Sequence, residues 1–389
     1  MSVSVSLKAT ESAEIAIVGK FPANQSAVQS AKMKIAHVND CLDMGGSEKL
    51  TTILCRLQRA LGHSTSVHCL YSIGVLGREL QTEGMDVVLH GPSSPIRLMR
   101  SLYRSFKSCT PDVVHCHNST ATVLGALPAR LAGVKTIVAT RHSLVQPPYQ
   151  LRSELRFAVA SRCCDWIVGV CESTQRNLAA APLAARGKIV HIYNGASAAN
   201  PDAVPRAKSG YTLLHVGRLV PEKDQATLLH AVAIARPHIP DVHLWIIGDG
   251  PLGTDLRKLS GDLGLNDRVT FFGAQNDISQ FLVAADLFVM SSKTEGLPLA
   301  LLEAMSVGLP AVVTDVGGMS EIALLSHAAV RVPTSDPEAL AIALCDAAAN
   351  RNEPSETGKS ALLCYQQYFT PELMVNNYLR LYNCPSAHS

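Results

Sequence analysis

From about residue 33 onward, short apolar runs alternate with stretches whose apolar positions recur at helical spacing. The runs "MKIAHVN", "STSVHCL", "MDVVLHG", "DVVHCH", "KTIVATRH", "DWIVGV" and "KIVHIYN" read as β-strands. Between them lie segments such as "GSEKLTTILCRLQRALG", in which Leu50, Ile53, Leu57 and Ala60 share one helical face. Apolar strands separated by helices imply a parallel sheet covered on both sides. The alternation then begins again, with "YTLLHVGRL", "VHLWIIGDG", "RVTFFG", "LFVMSS" and "AVVTDVGG" each preceding a helical pattern. The intervening "NGASAANPDAVPRAKSGY" has no apolar period and marks a linker at roughly 195–210. The fold class expected is α/β, with two Rossmann-like doubly wound domains facing each other across a cleft, and ligand bound outside the carboxyl ends of the strands.

Length supports the division, since 389 residues exceed the ~250–300 at which one hydrophobic core usually splits. The expected organisation is a flexible extension over 1–31, an N-terminal domain of 32–197 completed by 368–389, and a C-terminal domain of 198–367. A last helix after Pro371 crosses back to make the first domain discontinuous. The eleven cysteines form no C-x-x-C and no Cys/His metal spacing, so they read as thiols in a reducing compartment. With no secretory signal pattern and no run of 18 apolar residues, a cytoplasmic location is expected.

Charge is distributed unevenly. Residues 1–200 hold 21 Lys and Arg against 12 Asp and Glu, net +9, whereas residues 201–389 hold 13 against 20, net −7. The front half is the expected neighbour of an anionic phosphate, glycan or membrane surface, with no nucleic-acid partner.

Two loops carry candidate chemistry. In "LLHVGRLVPEKD" a strand ends at Gly217, and Arg218 and Lys223 follow before a helix that starts near Asp224. Two cations there are placed to meet a diphosphate, Arg as a fork and Lys as a point charge, although both also fit a solvated surface loop. In "SSKTEGLPLALLEAMSVGLPAVVTDVGG" the residues Gly296, Leu297, Pro298 and Leu299 sit where a helix begins, with Pro298 near its first position. Free N–H groups at that end suit an anion or a sugar hydroxyl. Glu295 precedes this helix and Glu303 lies inside it, so the pair either reads two polyol groups of one ligand or is a surface acid plus a helix-dipole partner.

Taken with "VGRLVPEK", the string "EGLPLALLEAMSVGLPAVVTDVGGMSEI" closely resembles the retaining glycosyltransferases of family 4, which adopt the GT-B fold. The resemblance runs over about residues 33–383 and includes "DMGGSEK", "DVVHCHN", "VATRH", "IYNG", "GDGP", "VTFFG" and "YFTPELMVNNYLRLY". It implies that Arg218 and Lys223 hold the donor diphosphate, that Glu295 lies near the donor sugar and that Glu303 meets the ribose hydroxyls. By the same match, the backbone of Gly296 to Leu299 contacts sugar and phosphate, Gly45 and Gly46 close over the donor from the other side, and His142 faces the transferred sugar. A lone histidine after a strand also fits a satisfied core residue. The N-terminal domain becomes the acceptor domain and the C-terminal one the donor domain. No D-x-D triplet occurs, so no metal or other cofactor is expected beside the nucleotide-sugar substrate.

Other matched positions read as structural. Asn194-Gly195 supplies a turn ahead of the linker, and Gly317 and Gly318 admit either ligand or backbone closely. His115 and His117 share a strand face with no third ligand evident in the sequence, so a metal is not expected there. In "SSPIRLMRSLYRSFKSC" the residues Arg97, Arg100, Arg104 and Lys107 line one side of an amphipathic helix, either a solvated sheet cover or a contact with an anionic membrane surface. The reading carried forward is a glycosyltransferase acting on a glycan or lipid-linked acceptor in cell-surface polysaccharide or glycolipid synthesis. The alternatives are a small soluble acceptor, a GT-B-fold sugar-nucleotide epimerase, or a non-catalytic binding module. A nicotinamide enzyme is disfavoured because no G-x-G-x-x-G follows the first strand.

Overall fold

The computed structural model describes residues 31–144, 151–181, 183–327, 329–351 and 356–384. All but the last residue of the expected N-terminal extension lies outside the described residues. In the first half β1 (Lys34–Cys41), α1 (Gly46–Ala60), β2 (Ser64–Ser72), α2 (Gly74–Thr82), β3 (Asp86–Leu89), α3 (Pro95–Cys109) and β4 (Val113–His117) follow one another. They continue into α4 (Asn118–Ala132), β5 (Thr136–Arg141), α5 (Leu151–Ala160), β6 (Trp166–Gly169), α6 (Glu172–Ala180) and β7 (Ile189–His191). The second half comprises β8 (Tyr211–Val216), α7 (Gln225–Ala235), β9 (Val242–Ile247), α8 (Gly253–Asp262), β10 (Val269–Gly273), α9 (Ser279–Leu282) and β11 (Leu287–Met290). After these come α10 (Leu299–Ser306), β12 (Ala311–Thr314), α11 (Gly317–Ser326), β13 (Ala329–Val332), α12 (Pro337–Ala349), α13 (Glu356–Tyr368) and α14 (Pro371–Asn383).

The strands form two sheets, ordered β3-β2-β1-β4-β5-β6-β7 and β10-β9-β8-β11-β12-β13. The strand pairs of both run parallel. Chain order reverses between β1 and β4 in one sheet and between β8 and β11 in the other, which opens a crevice at the carboxyl ends of those strands. Helix α14 returns to the first half: it packs on α1, its Tyr382 hydroxyl lies 2.7 Å from His115 Nδ1, and its Tyr378 hydroxyl lies 3.0 Å from Thr140 Oγ1. One buried apolar cluster runs from Ile35, Leu54 and Val168 through Val170 and Tyr193 to Leu297, Met319 and Ile322, so the two halves share an apolar contact.

One helix face differs from the periodic expectation. In α1 the buried residues are Leu50, Thr51, Thr52, Leu54, Cys55 and Gln58, while Ile53 and Leu57 are only partly covered and Ala60 is exposed. The helix is turned toward its polar positions because they have partners inside. Asn39 Nδ2 donates to Thr51 Oγ1 at 3.0 Å, and Gln58 Oε1 lies 2.9 Å from His37 Nε2.

Candidate active site

The loops that leave β8 and β11 meet at the switch point of the second sheet. Ser291 Oγ donates to the carbonyls of Lys223 and Asp224 at 3.1 and 2.9 Å, and the Lys293 amide donates to the Glu222 carbonyl at 2.8 Å. Asp224 adopts the left-handed conformation (φ 47°), unusual for a residue with a Cβ. Its carboxylate is held by Lys293 Nζ at 3.3 Å, Thr227 Oγ1 at 2.9 Å and Ser335 Oγ at 3.1 Å. These bonds aim Lys223 at Glu295, with which it forms a close ion pair whose side chains are 18% and 10% exposed. Ser292 Oγ also donates to Glu295 Oε1, at 2.8 Å.

Arg218 lies on the same loop with an exposed side chain. Its carbonyl accepts from Gln225 Nε2 at 2.8 Å, and the same nitrogen lies 3.2 Å from His215 Nε2. His215 Nδ1 donates to the Val289 carbonyl at 3.0 Å, so Nε2 is the accepting nitrogen. The two cations therefore differ. Lys223 is already neutralised by Glu295, whereas the Arg218 guanidinium faces solvent.

Pro298 stands at the N-cap of α10, with φ −74° and ψ 124°, and Leu299 is the first helical residue. The sequence expectation had placed Pro298 one position further in; its extended ψ keeps it outside the helix. Glu303 occupies the second turn, and burial pushes its carboxyl above the ordinary range. Lys49 opposes that shift, and it adds to the lowering of Asp277 that the hydrogen bonds from Ser279 chiefly cause. Lys49 belongs to the first turn of α1, so the helix that opens with Gly45 as N-cap and Gly46 as first residue stands across the crevice from Glu303. A Cβ on Gly46 would meet nothing within 4 Å, which leaves open volume at that end.

His142 follows β5 at the rim of the first sheet. Its Nε2 lies 3.2 Å from His117 Nδ1, His117 Nε2 lies 3.0 Å from His37 Nδ1, and His37 Nε2 meets Gln58 Oε1. An amide oxygen only accepts, so each imidazole donates inward from Nε2 and His142 keeps the lone pair on Nδ1. Burial holds His37 and His142 at about 4 and His115 and His117 well below 6.5, so all four are neutral near pH 7. His37 pairs in register with His115, and these two with His117 bring ligand-type nitrogens within 4.8 Å of one another. The spacing of residues along the chain does not reveal this third histidine, because it lies on a neighbouring strand. The ring nitrogens bond to Gln58, Tyr382, Thr140 or one another, which makes the group a hydrogen-bonded chain.

Residues 198–362 match the family model described as Glycosyl transferases group 1, and residues 44–199 match that described as Glycosyltransferase Family 4. The chain belongs to glycosyltransferase family 4. Among its relatives is the UDP-Gal:alpha-D-GlcNAc-diphosphoundecaprenol alpha-1,3-galactosyltransferase of Escherichia coli, 33% identical over 241 residues, which are 56% of this chain and 61% of that protein. The lipopolysaccharide core biosynthesis glycosyltransferase LpsE of Rhizobium meliloti is 35% identical over 187 residues, 46% of this chain and 53% of LpsE. The matched stretches thus span just over half the length of these curated relatives. Among solved structures, HepE of Anabaena in complex with UDP-glucose superposes with a TM-score of 0.79 at 20% identity, covering 90% of this chain and 99% of that one. The two Rossmann-like halves share the GT-B fold with it.

In this family 4 chain the loop from Glu295 to Leu299 is gripped from both halves. Gly318 N donates to the Gly296 carbonyl at 2.7 Å, Cys171 Sγ lies 3.5 Å from the same oxygen, and Asn194 Nδ2 donates to the Leu297 carbonyl at 2.9 Å. Gly296 has no room for a side chain against the carbonyl of His142, and Gly317 (φ 52°) backs onto the carbonyl of Glu295. Gly317 and Gly318 therefore admit backbone closely. Asn194 does more than turn the chain. Its string "IYNG" carried the signal, but the loop it bonds lies 103 positions away.

Proposed function

We propose that this protein is a retaining glycosyltransferase that moves a sugar from a nucleotide-diphosphate sugar to a glycan or lipid-linked acceptor in cell-surface polysaccharide or glycolipid synthesis. The observation that carries the reading is the pairing of Lys223 with Glu295 at the switch-point crevice, on the loop that also bears Arg218, with Glu303 and the first turn of α1 on opposite walls. The donor diphosphate meets Arg218 and Lys223, the ribose hydroxyls meet the Glu303 carboxylate, and the sugar lies between Glu295 and His142. As the bond from the anomeric carbon to the phosphate oxygen breaks, the two cations stabilise the charge on the leaving diphosphate. That oxygen takes the proton of the acceptor hydroxyl, which bonds to the same face. Preorganised charges of this kind act without reorganisation in the transition state.

The relatives guide the donor test. The E. coli protein is named for UDP-Gal, HepE was solved with UDP-glucose, and a Mycolicibacterium smegmatis relative is named for GDP-mannose. Thermal unfolding with UDP-, GDP- and ADP-sugars, with and without EDTA, is expected to pick out one of them. At about 100 times its dissociation constant the matching donor adds ~2.7 kcal/mol, roughly 2 °C or more, regardless of EDTA. Arg218→Ala is expected to abolish the shift. No stabilisation by any of the three classes would sink the donor assignment.

A peripheral place on the cytoplasmic face of a membrane belongs to the same proposal. On α3 the side chains of Arg97, Arg100, Arg104 and Lys107 are exposed together with Ile96 and Tyr103, while Leu98, Leu102 and Phe106 are buried against the sheet. The adjoining α4 and α5 expose Leu127, Leu131, Leu155 and Val159 beside Arg130, Arg152 and Arg156. Among the described residues no helix is long and apolar enough to cross a membrane. Flotation with anionic vesicles is expected to recover the protein at low ionic strength and to lose it at ~1 M salt, where charges are screened beyond about 3 Å. Absence of binding at low salt would remove the support for this contact.

A further inference from the structure

Helix α6 belongs to the first half and begins at Glu172, where its opening N–H groups lack acceptors within the helix. Cys171 and Thr174 form a capping pair that serves the Cys171 and Thr174 amides. The amides of Glu172 and Ser173 are met from the other half of the molecule. Glu321 Oε2 accepts from the Glu172 N–H at 3.0 Å, and Glu321 Oε1 accepts at close range from that of Ser173. Glu321 is only 8% exposed, Arg176 lies 4.0 Å from its Oε1, and the Tyr193 hydroxyl also faces it. A buried carboxylate on a helix N-terminus makes charge-assisted bonds and complements the helix dipole.

Glu321 sits on α11, and the first turn of α11 lies on the donor loop. Gly318 N bonds to the Gly296 carbonyl, Gly317 backs onto Glu295, and the Gly317 carbonyl accepts from Ser173 Oγ at 3.3 Å. One short helix thus touches the loop from Glu295 to Leu299 at one end and caps α6 one turn further along. We infer that Glu321 is a positioning residue: by capping α6 across the domain interface it holds the crevice closed and presses the donor loop against His142, Cys171 and Asn194. It touches no substrate, and its effect passes through the loop.

The geometry offers a reciprocal variant. Glu172 is the first residue of α6, where proline is tolerated, and the preceding Cys171 is extended (φ −162°, ψ 171°) as a residue before proline requires. Glu172→Pro therefore deletes one N–H that Glu321 accepts and leaves Glu321 itself untouched. Small-angle scattering of the unliganded full chain is expected to give a larger radius of gyration for Glu321→Ala and for Glu172→Pro than for the native protein, with far-UV circular dichroism unchanged. Calorimetry with UDP is expected to show about tenfold weaker binding for each, the scale of one lost charge-assisted bond. The double variant should lose no more than about twofold beyond either single one, because the two residues share one contact.

Unchanged scattering and UDP affinity in both variants would overturn the inference. So would an opening in Glu321→Ala that Glu172→Pro fails to reproduce. If Glu321→Ala does not fold, Glu172→Pro alone decides. The binding arm rests on the proposed donor class, whereas the scattering arm does not. Failure of UDP to bind the native protein would therefore exclude a UDP-sugar donor, move the binding arm to GDP and ADP, and leave the cap to be judged by scattering.

Discussion

Replacing Lys223 by alanine is expected to lower kcat by about 10²–10³-fold, the cost of removing one preorganised charge from a developing anion. The same change should lower stability, because Glu295, 10% exposed, loses its cation. Breaking a buried pair costs roughly 3 kcal/mol, since the remaining carboxylate must stay charged without a counter-ion or take up a proton. Arg218→Ala is expected to behave differently. Its side chain is exposed, so activity falls on a comparable scale while thermal unfolding barely moves.

A double variant separates the two roles of Lys223. In Lys223→Ala/Glu295→Ala the unpaired carboxylate is gone, so most of the lost stability should return, yet the rate should stay low. Kinetics with the donor that thermal unfolding picks out, together with unfolding curves for Lys223→Ala, Glu295→Ala, Arg218→Ala and the double variant, check this. If Lys223→Ala kept its rate within about threefold of the native enzyme, the cation would not be acting on the leaving group. Lys223→Arg should not restore activity, because the planar fork is longer than an ammonium and needs a different approach to Glu295.

Acid is expected to unfold the protein between about pH 6.5 and 4. His37 and His215 are fully buried, each held by burial at about 4 rather than 6.5. A histidine whose native value lies below its unfolded one is neutral in both states above pH 6.5. As pH falls through 6.5 the unfolded chain takes up the proton first, and stability declines until the native value is reached. Each such fall is worth about 3 kcal/mol by pH 4. His115 and His117 lie in the same direction, also through burial. Two histidines remove a large share of a stability of ~5–15 kcal/mol, and the other two act in the same sense. Circular dichroism followed from pH 8 to 3 should show a cooperative loss of structure inside that window. A midpoint below the native histidine range would show that these imidazoles become charged without unfolding the chain.

The histidine chain shows where sequence reading stops. "DVVHCH" was legible as a strand, and the shared face of His115 and His117 followed from the alternation of strand side chains. That His37 completes the group depends on β1 lying beside β4 in one particular register. The seven-residue run "MKIAHVN" carries no label for its neighbour. The same holds for α1, whose polar Thr51 and Gln58 turned inward because Asn39 and His37 awaited them. Hydrophobic periodicity cannot see a buried polar pair.

The two loops at the crevice were more legible, because their chemistry is local. Arg218 and Lys223 occupy one strand-to-helix loop, Glu295 precedes a helix and Glu303 lies within it, so the local pattern placed the first three after strand ends and the fourth one helical turn further on. The closeness of Lys223 to Glu295 was not legible, since it arises when the loops after β8 and β11 meet at the switch point. The string "GGMSEI" by itself assigns Glu321 no role. Its partners, the amides of Glu172 and Ser173, lie 149 and 148 positions away on the other domain.

The sequence by itself determined the strand-helix alternation, its restart after a linker near residue 200, and the loops that bear cations and carboxylates, because periodicity and turn chemistry act between residues a few positions apart. Only the tertiary structure decided which strands adjoin, which histidines form a chain, which cation is already paired and which carboxylate bridges the domains. Those outcomes depend on backbone and side-chain groups far apart in the chain, brought within hydrogen-bonding distance by burial of the sheets on both faces.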